Sequence, residues 1–109
     1  MNLLTELIAA RARMAERRHI QRYLYLLEDG NLTDIDQDIP DKIVGCCLMG
    51  AFLNGRNLVD EPVFFDAFRL MRSLANELSP INWNDVPGRT KAEVLNLFDK
   101  AIAQARSAP

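Results

Sequence analysis

Apolar residues return every three or four positions through most of this chain, the spacing that lines one face of an α-helix. Leu3, Leu4, Leu7, Ile8, Ala12, Met14 and Ala15 keep it in an Ala- and Arg-rich context and predict a helix over residues 3–17. Ile20, Tyr23, Leu24 and Leu27 prolong the spacing, with no Gly or Pro before Gly30. Helix is therefore favoured onward, with a break near Arg18, although Tyr23-Leu24-Tyr25-Leu26 also has the composition of a short strand. Asp29-Gly30-Asn31 is a turn signal, and the Asp-rich stretch to Pro40 reads as a loop. Asp38 and Pro40 suit the start of a second helix carrying Ile43, Val44, Cys47, Leu48, Ala51 and Phe52 to a stop at Asn54-Gly55. Residues 43–53 are apolar nearly all round, as expected of a short helix buried at the centre of a bundle.

Asp60-Glu61-Pro62 opens a third helix with face Phe64, Ala67, Phe68, Met71, Leu74, Ala75 and Leu78, ended by Pro80. Thr90-Lys91-Ala92-Glu93 is a capping box, in which hydroxyl and carboxylate each satisfy an orphan backbone N–H of a fourth helix. That helix carries Val94, Leu95, Phe98, Ala101, Ile102 and Ala105 inward. The pattern predicts an all-α fold, a small bundle of about four helices with an acidic loop between the first and second, residues 1–109 forming a single helical domain.

Composition leaves this picture intact. Hydrophobic residues at 49% and charged residues at 26% are globular proportions, not those of a disordered chain. The net charge of −2 is unevenly laid out: residues 1–27 hold five Arg against two Glu, and residues 28–41 hold six acids and no base. A near-neutral total argues against binding nucleic acid through overall charge. An alternative role as a nucleic-acid-binding accessory protein would rest on Arg11, Arg17, Arg18 and Arg22, with His19, Tyr23 and Tyr25 to stack bases. The adjacent pair Cys46-Cys47 is unsuited to an ordinary disulfide. There is no apolar run near 18 residues and no signal segment, so the expectation is a cytoplasmic protein without a membrane partner.

The candidate chemistry is sparse. Trp83-Asn84-Asp85-Val86-Pro87-Gly88-Arg89 holds the only Trp. It reads either as a joint in which Trp83 fills a gap between helices, Asn84 or Asp85 binds backbone N–H groups and Arg89 meets an acid, or as a recognition surface built on Trp83 and Arg89. Asp34, Asp36 and Asp38 resemble the opening of a calcium loop, but Ile39 and Gly45 stand where that loop needs Gly and Glu. These carboxylates read instead as a solvated polar loop, with an acidic surface facing a partner as the alternative. A single His and no Cys-x-x-Cys spacing leave no metal site and no cofactor to expect. Gly45 and Gly50 lack the Lys and Ser/Thr of a phosphate loop, and no nucleophile has a visible base. An enzyme is not expected; a small-molecule or enzymatic domain using a groove beside Trp83 stands as a further alternative.

Cys47-Leu48-Met49-Gly50-Ala51 resembles the Cys-x-x-Gly-Ala segment of a family of small bacterial and bacteriophage proteins known as a domain of unknown function. Residues 81–94, with Trp83-Asn84-Asp85, Arg89-Thr90 and Glu93-Val94, are similar to that family's Trp-Asn-Asp turn and following helix start. Arg18-His19-Ile20 departs from the family's Gly-Trp pair, which puts the architecture of residues 18–40 in question. The resemblance implies no activity or ligand. It implies a context of phage and mobile elements, and with the missing catalytic set it points to a non-catalytic protein-interaction module. Such a module would bind a protein through Trp83, Arg89, Asp34, Asp36 and Asp38, for instance as an inhibitor of host defence, and could also self-associate through apolar surface at Phe64 or Phe65.

Overall fold

The computed structural model describes residues 1–34, 42–58 and 60–107. Asn2 starts α1 (Leu3–Glu16), its side chain accepting from Thr5 N at 3.0 Å, and the helix buries Leu7, Ala10 and Met14 along one stripe. It stops at Arg17, whose backbone is extended. Here the all-α expectation is overturned, because the chain continues as β1 (Arg18–His19), β2 (Tyr25–Leu27), β3 (Leu32–Thr33) and β4 (Ile43–Cys46). The sheet runs β1-β4-β2-β3, with β4 parallel to β1 and antiparallel to β2, and β2 antiparallel to β3. The turn residues act as read: Gly30 sits at φ +92°, and Asp29 Oδ1 accepts from Asn31 N at 2.9 Å. They close a β2–β3 hairpin rather than end a helix.

The expected apolar helix over residues 43–53 is in fact central strand β4 followed by a six-residue α2 (Leu48–Leu53). A central strand and a buried helix are both apolar on all sides, so this string carries no period to separate them. Cys47 caps α2, its sulfur accepting from Gly50 N at 3.3 Å. At the other end the last carbonyls are covered by arginines: Arg13 Nη1 donates to Ala51 O, and Arg56 Nη2 and Nε donate to Phe52 O and Leu53 O. Burial, then the neighbouring Arg56 and Arg17, hold the Arg13 guanidinium pKa below its ordinary value. The expected start of this helix at Asp38 and Pro40 lies outside the described residues.

Helix α3 (Pro62–Leu74) begins after the expected acids, but Pro80 does not end it. Asn76 and Glu77, both at positive φ, turn the chain, with Glu77 N bonded back to Arg72 O at 2.9 Å. Pro80 instead opens α4 (Pro80–Asn84), capped by Ser79 Oγ. Thr90 and Glu93 form the capping box before α5 (Lys91–Ser107): Thr90 N reaches Glu93 Oε1 at 2.9 Å and Glu93 N reaches Thr90 Oγ1 at 3.2 Å. Helix α1 packs on α2 and α5, and α3 packs on α5. Leu7, Met14, Tyr25, Phe52, Met71 and Phe98 fill the shared core. Among the described residues no helix is long and apolar enough to cross a membrane.

Candidate functional site

Among the described residues Asn84 is the buried polar side chain of this core, 0% exposed, and its amide joins three segments that are distant in sequence. Its Oδ1 accepts from Leu48 N at 3.1 Å, and its Nδ2 donates to Ile20 O at 3.1 Å. Both of those partners are backbone groups of fixed polarity, so the amide can face only one way. His19 Nε2, 2.8 Å from Oδ1, must then be a donor, which assigns the neutral ring its Nε2–H tautomer. Asp85 extends the seam: its Oδ1 accepts from Asn84 Nδ2 at 3.1 Å and from Arg22 N at 2.8 Å. Gln21 Nε2 bonds Asn84 O and Val86 O at 2.9 and 2.8 Å. Arg22 is held at φ +76°, a conformation costing a non-glycine residue about 1–2 kcal/mol, which these bonds offset.

Trp83 is half-buried against the core. The Arg89 guanidinium lies 3.9 Å from its ring centroid while Nε donates to Trp83 O and Nη1 pairs with Glu93 Oε2 at 2.8 Å. The turn thus ties α4 to the first turn of α5, with Arg89 held between Trp83 and Glu93 and Trp83 between Arg89 and the core. Asp34 accepts from Leu24 N at 3.0 Å, whereas Asp36 and Asp38 lie outside the described residues. The four arginines read as nucleic-acid contacts go to different places: Arg11 pairs with Asp99 on α5 at 2.9 Å, Arg17 donates to Asn54 at the end of α2, Arg18 is exposed on β1, and Arg22 stands by Asp85.

Between the Arg22 segment and α4 lies a cavity of about 330 Å³ walled by Arg22, Tyr23, Leu24, Asp34, Cys47, Ile81 and Asp85. It is where the Cys-x-x-Gly-Ala segment meets the Trp-Asn-Asp turn. Leu24 is the shared member, its carbonyl accepting from Cys47 N at 3.1 Å. A Cβ on Gly50 would stand 2.2 Å from that same carbonyl oxygen, so only glycine lets α2 approach the strand lead-in so closely. A family model matches residues 2–104, a range that takes in both segments. The chain belongs to DUF6197, a family of unknown function. No curated protein and no solved structure matches it.

In this DUF6197 fold the two thiols are core groups. Burial pushes Cys47 up to about 12, outweighing the Gly50 N–H that points at its sulfur. Burial likewise raises Cys46, against the opposing charges of Arg17, Arg13 and Lys91. Cys47 therefore presents a protonated apolar wall, 4% exposed, to the cavity. Among the described residues no three His, Cys, Asp or Glu side chains gather as a metal would need. A larger hollow of about 570 Å³ lies by Glu16, Arg17, Lys42 and Asn54, and one of about 210 Å³ beside Trp83 with Asn96 and Lys100. The groove foreseen beside Trp83 is the smallest of these three. Sequence reasoning named Arg22 only as a contact for nucleic acid and missed the walls Leu24, Cys47 and Ile81, because only the passage of the chain between β1 and β2 alongside α4 brings them together.

Proposed function

We propose that this chain is a non-catalytic binding module that receives one long side chain of a protein partner, an apolar stem ending in a cation, in the 330 Å³ cavity. The observation that carries the reading is the pairing there of two backbone-anchored carboxylates, Asp34 and Asp85, with the apolar walls Leu24, Cys47 and Ile81. In each carboxylate Oδ1 is held by a backbone N–H, which orients the group without ordering cost at the moment of binding. The cavity is small for a drug-sized ligand, at the low end of the roughly 300–1,000 Å³ typical of such sites, and suits a single lysine or arginine side chain. Exposed Tyr23 and Ile81 in its lining offer the amphipathic and apolar surface that partner segments use.

Two features support binding over chemistry. The thiol in the wall is protonated at neutral pH, and the His19 Nε2–H is committed to Asn84. That the partner is a host-defence component is the finer part of this proposal and rests on the phage context that the sequence resemblance implies. The test is NMR titration of labelled protein with two amidated peptides that share apolar flanks and differ in a central Arg or Glu. Shifts confined to residues 22–24, 34, 47, 81 and 85 with the Arg peptide, weakened about tenfold by Asp34→Asn, are expected. Equal response to the Glu peptide, or none to either at millimolar concentration, would refute it.

A further inference from the structure

The outward side of α3 carries a stripe that reads the same, with charges exchanged, from either end. Glu61, Phe65, Phe68 and Arg72 are spaced four, three and four residues apart, which places them in one row along the helix. Val63, Ala67 and Met71 occupy the opposite, buried side. Phe65 is 50% exposed, one of the most exposed large apolar side chains of the protein. Its ring meets Phe64 edge-on, with centroids 5.7 Å apart, and Phe64 lies 6.0 Å from Phe68; Phe64 and Phe68 are half-buried against the core and show one edge beside the exposed Phe65. Glu61 precedes the helix and makes no side-chain cap bond. Arg72 touches the Glu77 carboxylate at 3.7 Å and its Nε donates to Glu77 O at 3.3 Å, exposed contacts that solvent weakens and that leave its other donors open.

We infer that this stripe is a self-recognition surface, on which a second copy of the chain docks α3 antiparallel to α3 about a two-fold axis. A two-fold interface needs a patch complementary to itself, residue i meeting j while j meets i. Antiparallel pairing centred between residues 66 and 67 brings Glu61 opposite Arg72 of the second copy and Phe65 opposite its Phe68, each pair occurring twice. Parallel pairing would place Glu61 on Glu61 and Arg72 on Arg72. A lipid surface or an unrelated acidic protein would match only half of the charges, whereas a second copy matches both ends. A thirteen-residue helix is about 20 Å long, so the contact is smaller than a standard interface of about 1,600 Å² and the dimer exchanges readily.

Sedimentation velocity from micromolar to millimolar protein tests this with exposed substitutions that leave the core untouched. The unmodified chain is expected to show a reversible monomer–dimer equilibrium that weakens as salt rises. Glu61→Arg and Arg72→Glu, each alone, set like charges at both ends and are expected to lower association at least tenfold. Mixed in equal amounts the two variants restore it, because the introduced arginine of one then faces the introduced glutamate of the other, while the unaltered Arg72 and Glu61 still pair. Monomer throughout the range, single variants that associate as the unmodified chain does, or a mixture that stays monomeric would each overturn the proposal.

Discussion

Asn84 concentrates at one residue what the rest of the seam spreads over several. Its amide satisfies Leu48 N–H and Ile20 C=O in a place closed to water, so truncation leaves both orphaned. At about 1–3 kcal/mol for each group left unmet, Asn84→Ala is expected to lower unfolding free energy by roughly 2–4 kcal/mol in urea titrations. Asn84→Asp should fare no better, since it keeps the acceptor but sets a carboxylate against Asp85 Oδ1. An alanine variant within about 0.5 kcal/mol of the parent would show that the network is not what holds α4 to the sheet. The sequence announced half of this residue. An Asn-Asp pair before a helix reads as a binder of backbone N–H groups, and it is one. Apart from Asp85, its partners lie 36 to 65 positions away, and local spacing carries no record of them.

Elements with their own local signals were legible. Helices α1, α3 and α5 announce themselves by period, by Pro or acid at the start, and by the Thr90–Glu93 box. Strands β1 and β3, of two residues each, are too short to show alternation, and in β4 the apolar side chain of Val44 stands on the exposed side, so its sequence does not alternate. The strand composition noted at residues 23–26 is realised in Tyr25–Leu27, where pairing with β3 and β4 settles what the same side chains left open between helix and strand. The legible box also makes a pH prediction. Hydrogen bonds from Thr90 N, Arg89 and the Thr90 hydroxyl hold the Glu93 carboxyl pKa below its ordinary 4.5. Its ionised form therefore supports the fold fully above that value and loses this support as acid titrates the native group. Glu93→Gln preserves the shape of the cap without the charge. Thermal melts should show the parent modestly more stable than Glu93→Gln at neutral pH and the gap closing below pH 4.5. A gap that persists into strong acid would deny the charge any part in the cap.

For the whole molecule the thiols report how the fold opens. Cys46 ends the central strand and Cys47 starts α2, so both sit where helices and sheet share one core. Cys47 also floors the 330 Å³ cavity, yet it is almost as buried as Cys46. If strand and helix part only together, N-ethylmaleimide should label both at one slow rate near neutral pH, at least a hundredfold below the denatured chain, as read by peptide mass spectrometry. Faster labelling of Cys47 alone would mean that the cavity side opens on its own, and the Arg22–Leu24 wall would be a moving part. The same groups set the alkaline limit. The native thiols resist ionisation, Cys47 up to about 12, while the unfolded chain ionises from about 9. Their neutral form supports the fold fully below pH 9.0, and above it each further rise favours the unfolded chain until the native thiols titrate in turn. Labelling should therefore accelerate above pH 9 by more than the growth of thiolate in the unfolded chain alone, because the open population rises with it.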